Sequence, residues 1–574
     1  MRSSILSLSL VLALPLWVRA ATIHVPADQP TIQAGINVAI PGDSVLVAPG
    51  TYTGADNKEL DLKGKAIVLR SEGGAGVTII DCEQQGRGFY FQAGEGPATI
   101  VEGFTVTNGR VSGLFPDGWG GGILCIGSSP MIRDCTIEAN EAAGGNPGGG
   151  MGCYDSSPHV VMCVFRQNTT SGAGGGAYLK EGAPNLDGCT FQLNSGGGIM
   201  VENSSPTLTA CIFENHMGGG GARFHASSGV LSGCTFAGNV APDGGAVYVG
   251  AGSTPMFSTC EFLQNSAVGG NGIGGAISVN SSMPTFTDCR LQGNTATEGG
   301  AMRFICCPGM TPSVSGCSFA DNSAGIFGGA VACVDASPVL DSCVFVGNLA
   351  GNEGGAIHCN GGATLLRNCT LYGNRASSGS GMAVRNESVE VEKSIIAFAP
   401  TGQAIACLGG SVALTCTDIY ANLGGNWTGC IASQLGQDGN FSSNPLFCDA
   451  TSRDFTIRAT SPCAPGNSPP GCGLIGALPA ACGITDVADS PPVIDQRLTV
   501  IPNPVRGTAR FELGSLTQGA ALNVFDSQGR LVEEIQEQDG NWTWTPDPSF
   551  PAGVYFARSE AGPVEATVKF LYLR

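Results

Sequence analysis

The sequence predicts an all-β molecule: a right-handed parallel β-helix solenoid with a helical cap at its N-terminal end, followed by a small C-terminal β-sandwich. Three observations predict it. The chain holds 88 glycines in 574 residues yet is 42% hydrophobic, so apolar surface is buried by a backbone full of tight corners. One phrase recurs at intervals of about 25 residues, inside the range of repeat architectures: a Gly-Gly pair, a short apolar strand, a polar turn, a second strand, then Cys-x-Phe-x-x-Asn. Finally, composition changes at the acidic, proline-bearing DVADSPPVID, after which cysteine disappears.

The repeat excludes the alternatives. GGAVYVGAGSTPMFSTCEFLQN runs from Gly244 to Asn265 and GGAVACVDASPVLDSCVFVGN from Gly328 to Asn348. The recurring cysteines are Cys135, Cys163, Cys189, Cys211, Cys234, Cys260, Cys289, Cys317, Cys343 and Cys369. Each of about eleven clear units carries several glycines and usually a proline, and no helical periodicity is sustained, so helical repeats fail. The dense leucine phrase of leucine-rich repeats is missing. Alternation within the unit has the period of a strand and points Met256, Ser258, Cys260 and Phe262 inward, and likewise Val339, Asp341, Cys343 and Phe345.

Coils of a β-helix lie about 4.8 Å apart, so each inward residue meets its equivalents above and below. The expected ladders are the Phe column from Ile137 to Leu371, a second column from Cys125 to Val384, and an Asn column from Asn140 to Asn374 at a corner where Asn tolerates left-handed angles. The unit ending in Asn215-His216 carries its Asn one residue early, which predicts one irregular corner. The Cys column is small and apolar enough to stack inside; neighbouring thiols also fall within disulfide reach, and both states stay open.

The ends need protection. Pro30–Ile40 has apolar residues at helical spacing and is expected to cap the first coil. SVLVA, AIVLR and VTIID follow as early strands, and residues 394 to 483 as final coils with long excursions. After the linker come LTVIPNPV, ARFEL, ALNVFDSQGRLVEEI, NWTWTPD, GVYFARSEAG and ATVKFLYLR. These short strands, with a hairpin turn at Asp526-Ser527-Gln528-Gly529, predict a sandwich.

Arg2, the apolar run Ile5–Trp17 and Val18-Arg19-Ala20 form a secretory leader, and no later run is long and apolar enough to cross a membrane as a helix. The compartment expected is extracellular or cell-surface, where disulfides are permitted. A net charge of −19 argues against nucleic acid and anionic membrane as partners. The order along the chain is therefore leader 1–20, cap and first coils 21–110, regular coils 111–400, irregular terminal coils 401–484, linker 485–497 and a terminal domain 498–574.

The repeats resemble right-handed β-helix proteins of the pectin-lyase-like superfold. The paired phrases GGAIHC and FVGN are similar to the repeats of chlamydial polymorphic outer membrane proteins, over about residues 100 to 385. TIHVPADQPTIQAGINVAIPGDSVLVAPGTY resembles the opening segment of many secreted bacterial β-helix proteins. PNPV, LNVFDSQGRLV, PAGVYFAR and KFLYLR resemble the type IX secretion sorting domain and its hook-assembly-protein-like Ig relatives. That last resemblance implies export across an outer membrane through its secretion machinery, then release or attachment. No barrel like that of the polymorphic proteins is read in the chain, so autotransport is not expected.

Chemistry is harder to find. Lyases on this fold need carboxylates holding calcium and a basic group beside a uronate; hydrolases need paired carboxylates. The column two residues before the ladder Cys contains Asp187 and Asp341, which are not on neighbouring coils. His24, His159, His216, His225 and His358 are scattered, each read as a solvated or corner residue, and no zinc spacing occurs. No catalytic, cofactor-binding or metal residues are assigned, and no cofactor is expected. The chain is expected to be a secreted or surface binding or structural protein, adhesin-like, for a glycan or another surface ligand, with its variable loops (EAAGGNP after Asn140, SAVGGNGI after Asn265) as the binding edge. The alternative is a polysaccharide lyase or glycoside hydrolase with its site at residues 50 to 120 or 400 to 475, where Asp56, Asp61, Asp81, Glu83 and Asp117 form the nearest acidic group.

Overall fold

The computed structural model describes residues 20–269, 272–305 and 309–482, and from 498 on the stretches 498–501, 505, 508–513, 521–526, 530–536, 542–547, 549–551, 553–561 and 564–572. Residues 1–19 of the expected leader, the expected linker, the turn at 527–529 and the end of KFLYLR lie outside the described residues. The chain divides into two compact units: the described residues up to Pro445 with Ala459–Ala480, and Leu446–Arg458 with those from Ala481 on.

The first unit is a parallel β-helix. Three long sheets run along it: sheet A of 16 strands from Thr22–Val25 to Ser411–Thr415, sheet B of 15 from Gly50–Tyr52 to Asp418–Tyr420, and sheet C of 13 from Phe89–Phe91 to Ile405–Cys407. The chain visits C, A and B in turn on each coil, and shorter strands such as Val240–Ala241 and Ser266–Ala267 stack between B and the next Gly pair. Ile32–Val38 is helical as expected. The Thr31 side chain caps it, accepting from the Ala34 amide, and Ile32 and Ile36 are buried.

The predicted ladders stand in register. Phe165 pairs with Phe191, Phe191 with Phe213, Phe213 with Phe236 and Phe236 with Phe262, their rings stacked at 4.7–5.1 Å. Stacking comes from in-register pairing, since offset parallel rings are a favoured aromatic geometry. Cys125, Cys153 and Leu179 begin the column in sheet C. The Asn column is a chain of hydrogen bonds: Asn265 Nδ2 donates to Asn294 Oδ1 (3.1 Å) and to Phe236 O (2.9 Å), and Asn294 repeats this toward Asn322 and Phe262. Every such amide is buried and satisfied, which is the condition for tolerating one in a core.

Three expectations are corrected. Asn is not the left-handed residue of its corner. The residue before it is: Ala139, Gln167, Leu193 and Gln264 have φ of 53–55°, freeing Asn to aim its amide along the axis. The Asn215–His216 corner is not irregular either. Asn215 (φ 59°) takes that left-handed place, and His216 stands in the ladder, its Nδ1 accepting from Asn194 N and its amide donating to Asn239 Oδ1. In sheet A the inward face is shifted by one. Met256 is 54% exposed while Phe257 is 1% exposed, and Leu340, not Val339 or Asp341, points inward. The left-handed residues Thr259 and Ser342 restart the alternation before Cys260 and Cys343, which do point inward as expected. A third apolar ladder, including Leu231, Phe257, Phe286 and Val314, thus went unread.

All sixteen unpaired cysteines among the described residues are buried thiols, including the whole ladder from Cys135 to Cys369. Cys163 Sγ donates to Val161 O (3.4 Å) and Ile132 O (3.6 Å), the pattern its neighbours share. Disulfides join Cys407 to Cys430, Cys416 to Cys472 and Cys448 to Cys482, all past the regular coils. The Gly pair turns the corner into sheet C. Gly244 has φ +61°, and a Cβ on Gly245 would stand 2.3 Å from Gly275 O of the next coil.

The second unit contains an antiparallel sandwich. Leu498–Ile501, Ala509–Leu513 and Trp542–Trp544 form one sheet; Ala521–Asp526, Leu531–Gln536, Gly553–Ala561 and Val564–Tyr572 form the other. Trp544, fully buried, packs with Phe511, Leu522, Val524, Tyr555 and Phe570 between them.

Candidate functional site

The Gly-pair corner gathers charged and aromatic side chains on the outer face of sheet C. The residue before the pair and the second residue of the following sheet C strand lie five apart in sequence, and the corner folds them together outside sheet C. In EGGAMR this joins Glu298 to Arg303, whose Nε donates to Glu298 Oε2 at 3.0 Å. In EGGAIH it places Glu353 Oε2 3.4 Å from His358 Nε2. Stacking then brings the pre-glycine residues together, Glu298 beside Phe327 and Phe327 beside Glu353.

The result is a groove of about 450 Å³ lined by Glu298, Arg303, Phe327, Val334, His358, Asn360 and Arg385. Ala332 stands between Arg303 and His358 in the outward column of sheet C, and its methyl fills less of that column than either neighbour's side chain. Arg385, from the next coil, clamps Glu353 with two guanidinium nitrogens, Nε to Oε2 at 2.7 Å. That hydrogen bond holds the Glu353 carboxyl below its ordinary range, outweighing burial. His358 is 3% exposed and its ring lies on Phe327, centroids 4.6 Å apart. Burial lowers its pKa despite the pull of Glu353, so the ring is neutral at neutral pH. Its Nε2 is buried and makes no hydrogen bond.

Nearer the N-terminal end the same face carries an aromatic platform. Phe115 and Trp119, on the loop before one Gly pair, meet Tyr154 and Tyr178 of sheet C: Phe115–Trp119 4.7 Å, Phe115–Tyr154 5.0 Å and Trp119–Tyr178 4.9 Å between centroids. Phe115 is 45% exposed. Tyr178 donates to Glu202 Oε2 (2.6 Å), which also pairs with Lys180, and burial pushes the Tyr178 phenol up. Between platform and groove, Arg223 lies over the Tyr248 ring at 4.4 Å.

The acids singled out from sequence do not converge. Glu83 pairs with Lys58 at 3.0 Å, Asp81 accepts from Asn108 and the Glu83 amide, and Asp61 accepts from the Lys63 amide. Asp56 and Asp117 are exposed. Asp341 pairs with Arg367 of the next coil at 2.6 Å. His24 and His225 are exposed and His216 is a corner residue, whereas His358 lines the groove, contrary to expectation. Among the described residues no group of three or more His, Cys, Asp or Glu could hold a metal. Sequence reasoning missed the groove, although acid and base flanking two Gly-Gly-Ala phrases were in view.

A family model described as right handed beta helix region matches residues 175–348. The solenoid is a right-handed β-helix. No curated protein matches the chain. Among solved structures it is similar to a pectate lyase (12% identity, 80% of this chain and 96% of that one, TM-score 0.25). It is also similar to tailspike protein 3 of bacteriophage CBA120 (11%, 68% and 57%, TM-score 0.30), and to a polysaccharide lyase from Pseudopedobacter saltans (12%, 81% and 97%, TM-score 0.25).

Proposed function

We propose that this protein is an adhesin-like glycan-binding solenoid, exported from the cell, whose ligand lies along the outer face of sheet C. The observation that carries the reading is the run of aromatic rings and paired charges, from Trp119 and Tyr178 to Arg303 and His358, over successive coils of one face. A glycan is itself a repeat with apolar ring faces and rims of hydroxyls, so a rigid ladder of flat rings and polar pairs complements it. The loops before the Gly pairs, which vary in length, border that face and supply Phe115 and Trp119.

The leader-like N-terminus and the three disulfides among the described residues support an oxidising destination. The resemblance of residues 498–574 to sorting domains supports outer-membrane export, followed by attachment or release. N-terminal sequencing of the secreted protein is expected to begin near Ala21, and deleting residues 498–574 is expected to trap it inside.

An oligosaccharide array probed with the full chain tests the main reading. Binding that falls at least tenfold in Trp119→Ala or Arg303→Met supports it; the absence of any glycan ligand overturns it. One observation favours a second reading, a lyase or hydrolase: a neutral imidazole 3.4 Å from a carboxylate in a groove is placed for proton transfer. Release of reducing ends or unsaturated sugars, lost in His358→Leu, would establish it.

A further inference from the structure

We propose that the groove between Arg303 and Arg385 takes an uncharged sugar residue by its neighbouring hydroxyl groups and rejects uronates. This rests on the glycan-binding reading and names the class of sugar. The groove's charges are already matched: Arg303 is held by Glu298 and Arg385 by Glu353, each in a hydrogen-bonded pair. With His358 neutral, the lining taken together with the Glu353 that clamps Arg385 carries no net charge. An anionic sugar would have to displace a carboxylate from its guanidinium and would then face that carboxylate unpaired, a costly arrangement away from water. A pair of adjacent hydroxyls asks for something different. It offers donors to a carboxylate and acceptors to a guanidinium while leaving the ion pair intact.

Two further features point to an occupant. His358 Nε2 is buried with only Glu353 Oε2 beside it, 3.4 Å away and out of hydrogen-bonding alignment, a state that costs free energy until something hydrogen-bonds it well; a sugar hydroxyl would do so. Phe327 and Val334 give the groove an apolar wall for the C–H face of a ring. Its volume of about 450 Å³ lies within the roughly 300–1,000 Å³ usual for small-molecule sites.

Calorimetric titration of the full chain tests this, with uncharged gluco-, galacto- and manno-oligosaccharides against oligogalacturonate and oligoguluronate, at low and high salt. At least one uncharged series is expected to bind with an affinity that salt changes less than about twofold. That affinity should fall at least about tenfold in His358→Leu and in Arg303→Met, with both variants checked by circular dichroism. Glu298→Gln, which leaves Arg303 uncompensated, is expected to admit uronates that the parent refuses, and it keeps the test open if His358→Leu does not fold. Parent binding of uronates, weakened by salt and by Arg385→Met, would overturn the inference. So would uncharged binding lost in Trp119→Ala but untouched in His358→Leu and Arg303→Met; that outcome leaves the glycan-binding reading standing. Failure of every glycan to bind removes both.

Discussion

From Cys135 to Cys369 ten thiols stand coil upon coil without joining, whereas past Ala404 the same solenoid ties itself with Cys407–Cys430 and Cys416–Cys472. The regular coils need no cross-link, because each residue rests on its own equivalent: Phe on Phe, Asn on Asn. The coils after Asn374 have lost that translation. Glu387 stands three residues after Val384, as Ser227 stands three after Phe224, yet the serine joins a hydrogen-bonded corner and both Glu387 oxygens are buried with only the weak Cys359 thiol beside them. Asp418 is likewise buried, beside Cys463. Where repetition lapses, covalent bonds take over a task that stacking performs elsewhere.

Four experiments can break or sharpen this contrast. Cys416→Ser with Cys472→Ser opens a cross-link spanning 56 residues, which chain entropy values at about 4 kcal/mol. Hydrogen exchange should show the terminal coils losing protection while coils 123–374 keep theirs. Loss of protection in the regular coils on adding a reductant alone would mean their thiols are joined. His216→Asn comes next. Burial holds His216 at about 4, below its unfolded value, so its contribution is complete above pH 6.5 and is lost as pH falls through 6.5 toward 4. The variant should therefore gain on the parent across that window, up to about 3 kcal/mol at pH 4, read from denaturant melts. Glu387→Gln tests the opposite sign. Burial pushes Glu387 up to about 7, so the parent is most stable below pH 4.5 and weakens as pH rises through 4.5 to 7. At pH 8 the variant should be more stable by about 2 kcal/mol, less than the full shift implies because solvent screens this partly buried carboxyl, and at pH 4 equal. Smallest is Cys260→Ala, expected to cost about 1 kcal/mol with no change on adding reductant; a larger, reductant-sensitive loss would contradict a ladder of independent thiols.

The ladders in sheets B and C were legible because a parallel solenoid maps sequence period directly onto space: a residue recurring every coil lands on itself. The inward face of sheet A was misread because a left-handed residue such as Thr259 adds a step that alternation does not reveal. At Asn215–His216 the same blind spot turned a regular corner into an expected irregular one. The groove escaped for a different reason. Glu353 meets His358 across a glycine corner and Arg385 from the next coil, so no local motif holds all three. The phrases EGGAMR and EGGAIH were the available signal.

The sequence by itself determined that this chain coils, where its cap lies and which residues stack in sheets B and C, because each depends on local backbone preference or on translation by one repeat. Only the tertiary structure decided which cysteines remain thiols, how charges on successive coils pair, and that Ala332 stands between Arg303 and His358. Those outcomes depend on side-chain directions and distances between coils, which are set when the whole stack closes around its core and not by any one repeat.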